Sequence, residues 1–142
     1  MTLVEKKSKY IILLKISRKS QDVKEATLDW LNKLGSQAIK TITFNRGKKF
    51  SKWQEIEHES QIDLEIFFSD PRSPGQRGLN KNSNHIVRQD LPKSTDLSVY
   101  TQKELNDIGM RYNHVPRRSL DYYTPEEIMK KATGLDSLIP IA

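Results

Sequence analysis

The sequence predicts a single α/β domain. Apolar residues fall in periodic blocks, short β-branched or aromatic runs alternate with stretches of helical spacing, and a chain of 142 residues suffices for one core burying about two thirds of its unfolded surface. Met1 to Val4 reads as the end of a strand and Glu5 to Lys9 as a hairpin turn. Tyr10 to Ile16 then reads as a strand buried on both faces. Val23, Ala26, Trp30 and Leu34 recur at helical spacing, so a helix is expected over Asp22 to Leu34, stopped by Gly35. A strand over Ile39 to Phe44, a short helix from Lys52 to Glu59 and a strand from Leu64 to Phe68 complete an α/β order.

The prolines and glycines of Asp70 to Gly78 predict an irregular loop, after which Leu79 to Gln89 resumes a helix. Thr101-Gln102-Lys103-Glu104 is a capping box opening a helix with Leu105, Ile108 and Tyr112 on one face. The chain is irregular from Pro116 through Tyr123. Thr124-Pro125-Glu126-Glu127 then starts a last helix, with an N-cap followed by proline in the first turn, and the residues beyond Gly134 read as frayed.

Composition narrows the function classes. The net charge of +6 and a pI near 9.5 favour nucleic acid, anionic membrane or acidic partners over basic ones. The absence of cysteine excludes disulfides and thiolate metal sites. The longest apolar run, Tyr10 to Leu14, is too short to span a bilayer, and no basic segment followed by an apolar stretch opens the chain. The expectation is a cytoplasmic protein with no membrane partner. His58, His85 and His114 are scattered without zinc-site spacing, no serine sits in a Gly-x-Ser-x-Gly elbow, and Asn45-Arg46-Gly47-Lys48 lacks the spacing of a phosphate-binding P-loop.

The informative stretch runs from Phe67 to Met129. Asp70-Pro71-Arg72-Ser73-Pro74-Gly75-Gln76-Arg77-Gly78 resembles Asp-Pro-aromatic-Ser-Pro-Trp-Gln-Arg-Gly, a motif of bacterial insertion-sequence DDE transposases of the IS-thirty family. Asn80, Asn82, Asn84, Arg88 and Gln89 match the family's x-Asn-Glu-Asn-x-Asn-Gly-x-x-Arg-Gln, and Pro92, Lys93, Thr95 and Asp96 match Leu-Pro-Lys-Gly-Thr-Asp. Thr101-Gln102, Glu104-Leu105, Asn113, Pro116-Arg117, Leu120, Tyr122 and Thr124-Pro125 follow Thr-Gln-x-Glu-Leu, Asn-x-Arg-Pro-Arg-Lys-x-Leu-Gly-Tyr and Thr-Pro-x-Glu. Earlier, Leu3 to Tyr10 resembles Leu-Val-Glu-Arg-Lys-Ser-Arg-Tyr, and Thr41 to Phe50 resembles Thr-x-Thr-x-Asp-Asn-Gly-x-Glu-Phe.

The resemblance implies an RNase H-like, retroviral-integrase-type mixed sheet with flanking helices. It would be a partial catalytic core over residues 1–129 that lacks the first core strand, with a flexible tail over 130–142. In such transposases two Asp and one Glu hold two magnesium ions that activate the attacking oxygen and steady the leaving one. Here the second Asp position is Asn45, the Glu position 36 residues later is Lys81, and the first Asp belongs to a strand that would precede Met1. Magnesium prefers anionic oxygen ligands. An ammonium in its pocket would repel it by on the order of several kcal/mol even at an effective dielectric near 20. No catalytic acid is therefore expected to be intact, and no bound metal is expected.

Two departures, Arg72 for the aromatic and Gly75 for the Trp, alter the packing of the proline-rich loop. Arg77, Arg88, Lys93, Arg117 and Arg118 stay basic, either as phosphate contacts on DNA or as a solvated surface with internal ion pairs to Asp70 and Asp96. The resulting expectation is a transposase-derived chain, truncated and without strand-transfer chemistry, whose partners are DNA and other transposase subunits. Its alternatives are a basic DNA-binding module without catalysis, an inhibitory partner of intact transposase, or an unfolded remnant.

Overall fold

A computed structural model describes residues 1–17, 19–34 and 39–135. It contains four short strands and five α-helices, so the mixed α/β class holds. The strands pair two by two, in two separate sheets and not in one. The chain divides into two compact units, one of Met1–Lys15 with Gly78–Ala142 and the other of Ile16–Arg77. Gly35 and the end of the chain beyond Leu135 lie outside the described residues.

In the first unit, β1 (Thr2–Val4) pairs antiparallel with β2 (Ile11–Leu13), Leu3 opposite Ile12. The turn between them is held by Glu5. Its carboxylate accepts from Lys7 N–H at 3.0 Å and from Ser8 Oγ–H at 2.6 Å, and Lys9 adopts a left-handed φ of 62°. Burial alone would raise the Glu5 carboxyl; the hydrogen bonds from Ser8 and Lys7 together bring it below its ordinary value. Tyr10 to Leu14 is buried throughout, as the unbroken apolar run predicts, although regular pairing stops at Leu13.

Two helices pack near that strand. Helix α3 (Pro74–Val87) starts four residues earlier than Gly78, so the stretch expected as loop to Gly78 is irregular only as far as Ser73. Pro74 costs nothing in the first turn, where its missing N–H would be unpaired anyway. The burial of Val87 offsets part of the poor propensity of Gly75 and Gly78.

Helix α4 (Gln102–Asn113) begins at the capping box that the sequence predicts, with Thr101 and Glu104 satisfying each other's backbone N–H groups. Those hydrogen bonds, Thr101 N–H first, hold the Glu104 carboxyl below its usual value. Leu105 and Ile108 join Ile11, Leu13, Val87 and Leu91 in the core, with Tyr112 packed against them.

Helix α4 also completes the edge of β2. Residues 12 and 14 face β1, where Leu14 N–H donates to Met1 O at 2.8 Å. On the other edge Asn113, fully buried, accepts from Ile11 N–H at 2.8 Å through Oδ1 and donates through Nδ2 to Ile11 O at 2.9 Å. Three turns earlier on the same helix, Gln102 Nε2 donates to Leu13 O at 2.7 Å and Gln102 Oε1 accepts from Lys15 N–H at 2.9 Å. Two side-chain amides thus do what a neighbouring strand would do for the odd residues of β2. That capping physically accounts for the hairpin standing as a two-stranded sheet. Gly109 lies between them, and a Cβ there would be at 3.6 Å from Ile11 O, an ordinary contact.

The second unit is a helix-covered parallel pair. Helix α1 (Ser20–Leu34) turns Val23, Thr27, Trp30 and Leu31 inward at helical spacing. Strand β3 (Thr41–Phe44) pairs in parallel with β4 (Glu65–Phe68) through a crossover containing α2 (Trp53–Glu59). Ile42 and Phe44 are buried while Thr41 and Thr43 are exposed, the alternation of a strand covered on one face. Lys24 ties α1 to α2 by ion pairs to Glu55 at 2.6 Å and Glu59 at 2.7 Å. The last helix, α5 (Pro125–Thr133), belongs to the first unit and starts at the Thr124 N-cap and Pro125 read from sequence, where the structure adds a capping box between Thr124 and Glu127.

The edge-capping role of Asn113 makes a quantitative expectation. Asn113→Ala leaves the buried N–H and C=O of Ile11 without partners, a loss of about 2–5 kcal/mol of unfolding free energy. Gln102→Ala, whose bond to Lys15 N–H is exposed, costs only about 1 kcal/mol. Urea denaturation of both variants reads the difference; equal small losses would remove the role assigned to Asn113.

Candidate nucleic-acid interface

The end of β3 leads into a turn built by its own side chains. Asn45 Oδ1 accepts from Gly47 N–H at 3.0 Å, an Asx turn that reverses the chain. A Cβ on residue 47 would come within 2.8 Å of that same oxygen, so glycine permits the turn by its lack of a side chain. Arg46 and Lys48 are exposed, and the Lys49 ammonium sits 4.9 Å from the Phe50 ring centroid. Phe50 is anchored by stacking on Phe44 with centroids 4.3 Å apart.

Beside this turn lies an open cleft of about 470 Å³. Phe50, Trp53 and Phe68 give it an aromatic lining and Arg46 and Lys48 a cationic one, with Trp53 edge-on to Phe68 at 5.4 Å. The sequence reading passed over Trp53 and Phe68. The signal available was their aromatic type near a basic turn, but only the crossover brings residue 68 beside residue 53.

Lys81, which the sequence motif aligns with an acid, is on α3 in the first unit, exposed at the surface. His85 follows it by four residues on the same exposed face of α3, and Arg88 is exposed just past the helix end. Lys93 is exposed in the following loop. Arg77 sits near the start of α3, in the second unit, and donates through Nε to Ser69 Oγ at 3.0 Å. Lys24, Lys33, Lys52, Arg111 and His114 pair with acids, and among the described residues no ion pair is seen for Arg77, Arg88, Lys93, Arg117 or Arg118. Asp96, one of the two acids expected as internal partners, caps a 3-10 turn by accepting from Ser98 N–H.

Arg117 and Arg118 belong to a compact loop after α4. Arg117 O accepts from the N–H groups of Leu120 at 2.9 Å and Tyr122 at 3.0 Å, while Arg117 N–H donates to Tyr123 O at 3.1 Å. Burial holds the Arg117 guanidinium below its ordinary pKa, and its Nη2 donates to Tyr112 O at 3.4 Å. Closing this loop requires left-handed backbone at two successive residues, Asp121 with φ 52° and Tyr122 with φ 65°. The matching transposase motif has Gly where Asp121 stands. The loop leaves Tyr122 71% exposed and Tyr123 54% exposed beside the exposed Arg118, an aromatic and cationic surface that sequence reading recognised only as irregular chain.

Of the three histidines, His114 bonds Glu126 at 2.6 Å. No group of three or more His, Asp or Glu side chains that could hold a metal ion is gathered among the described residues, and no helix there is long and apolar enough to cross a membrane.

A basic, two-unit α/β chain with these motifs is matched by known proteins. No protein-family model matches the chain. It is 38% identical over 135 residues to the transposase InsI of insertion sequence element IS30C from Escherichia coli K12, covering 94% of this chain and 35% of that protein. The transposase of element IS1086 from Cupriavidus metallidurans is 34% identical over 130 residues, 89% of this chain and 37% of its own length. That of element IS4351 from Bacteroides fragilis is 30% identical over 138 residues, 97% and 42% respectively. These matches make the chain a homologue of insertion-sequence transposases. It spans about a third of the length of the first of these relatives.

The strained loop carries its own expectation. Replacing Tyr122 by Gly relieves a left-handed cost of about 1–2 kcal/mol against an entropic loss of about 0.5–1 kcal/mol. Tyr122→Gly is therefore more stable than Tyr122→Ala in thermal melts; the reverse order would show that the backbone is unstrained there.

Proposed function

We propose that the chain is a DNA-gripping segment of an insertion-sequence transposase, RNase H-like in fold, that performs no strand cleavage or transfer. The fold reading is supported by the β1–β2 hairpin, the β3–α2–β4 parallel crossover and the transposase homologues. What carries the functional reading is the turn after β3. Its one candidate ligand oxygen, Asn45 Oδ1, is engaged by Gly47 N–H, and three of the next four residues are Arg46, Lys48 and Lys49.

These residues do not fit magnesium. A divalent ion there would meet a neutral amide oxygen, one of whose two lone pairs is held by the turn, and a surrounding positive field, when it prefers anionic oxygens. The other position that the motif assigns to an acid, Lys81, supplies a cation. No step through a metal is derived. The same charges suit phosphate, whose affinity for lysine and arginine comes from counterion release and carries little sequence preference.

Fluorescence anisotropy with duplex DNA at rising salt tests this reading. If Arg77, Arg88, Lys93, Arg117 and Arg118 each meet one phosphate, they alone contribute about −4.5 to the slope of log K against log salt, and Arg117→Ala with Arg118→Ala makes the slope shallower by about 2. Supercoiled plasmid incubated with the chain and Mg²⁺ stays intact. Absence of salt-dependent binding, or appearance of nicked product, would overturn the proposal.

A further inference from the structure

We propose that the cleft beside the turn after β3 takes one unpaired nucleotide of a DNA strand, with its base against Trp53 and Phe68 and its phosphate against Arg46 and Lys48. The inference rests on the DNA-binding reading and adds to it a site for a base. At about 470 Å³ the cleft has the size of small-molecule sites and is open enough for a residue that remains part of a strand.

Its chemistry is divided as a nucleotide's is. Trp53 and Phe68, partly exposed, supply aromatic surface, and Phe50, buried and stacked on Phe44, completes the lining. Arg46 and Lys48 line the same cleft, are exposed, and are engaged in no ion pair among the described residues. Among the described residues no carboxylate lines the cleft. A purely apolar ligand would leave the two cations unused, and a free phosphate would leave the aromatic wall bare. A base held in a duplex stack offers its neighbours, not a side-chain ring, both of its faces, so the occupant is an unpaired base.

Three DNAs at one salt concentration separate the contributions: an oligothymidylate strand, an abasic strand of equal length and charge, and a duplex. The chain has two tryptophans, Trp30 buried in α1 and Trp53 in the cleft, so emission quenching reports on Trp53. The base-bearing strand quenches emission and binds about tenfold more tightly than the abasic one, the scale of one base stacked on an aromatic ring. Trp53→Ala and Phe68→Ala bring the two affinities together without weakening abasic binding, and Arg46→Ala weakens both.

Equal affinity of the two strands in the unaltered chain overturns the proposal while leaving phosphate binding intact. So does a preference that survives both aromatic substitutions. Failure to bind any of the three DNAs at low salt overturns the DNA-binding reading with it. If the aromatic variants do not fold, the strand comparison and the quenching of the unaltered chain decide the matter alone.

Discussion

The first unit depends on how the second edge of β2 is satisfied. A strand as apolar as Tyr10 to Leu14 gains burial on both faces, but its backbone must find partners on both edges. One edge belongs to β1; on the other, Asn113 and Gln102 bring amide donors and acceptors from a helix. An amide can serve there because it both accepts and donates, as a peptide group does. A carboxylate or an aliphatic group of similar size could do only one or neither. The constraint fixes α4 along its length, and the loop bearing Arg117, Arg118 and the two exposed tyrosines leaves from its C-terminal end.

The second unit turns on charge at a strand end. The position after Phe44 is one where a parallel strand delivers its functional residue into a loop. An aspartate there would give a metal its first anionic ligand. Asn45 keeps the shape and loses the charge, and its oxygen closes the turn that displays Arg46 and Lys48. The local field therefore favours anions. Homology to transposases and basic charge are compatible with DNA as the ligand.

Local signals in the sequence were legible to within a few residues. The Thr101/Glu104 capping box and the Thr124 N-cap with Pro125 open helices where expected, because an N-cap acts over three residues and needs no tertiary partner. The start of α3 was missed because Pro74 and Gly75 read as helix breakers, whereas proline in a first turn breaks nothing. The strand predicted over Tyr10 to Ile16 is regular only over Ile11 to Leu13, since periodicity reports burial and not pairing. Asn113 was visible as a motif residue but not as a strand-edge cap, for its partner lies 102 residues away. The aromatic cleft was hidden for the same reason: the parallel pairing of β3 and β4 puts Phe68 beside Trp53.

The central claim is that the turn at Asn45 repels divalent cations. Isotope-labelled protein titrated with Mn²⁺ and followed by NMR tests it most directly, because a bound paramagnetic ion broadens nearby amide signals first. The account predicts that the amides of Asn45, Arg46 and Gly47 stay sharp while any broadening follows exposed carboxylates elsewhere. Selective loss of those three signals at low Mn²⁺ would contradict it.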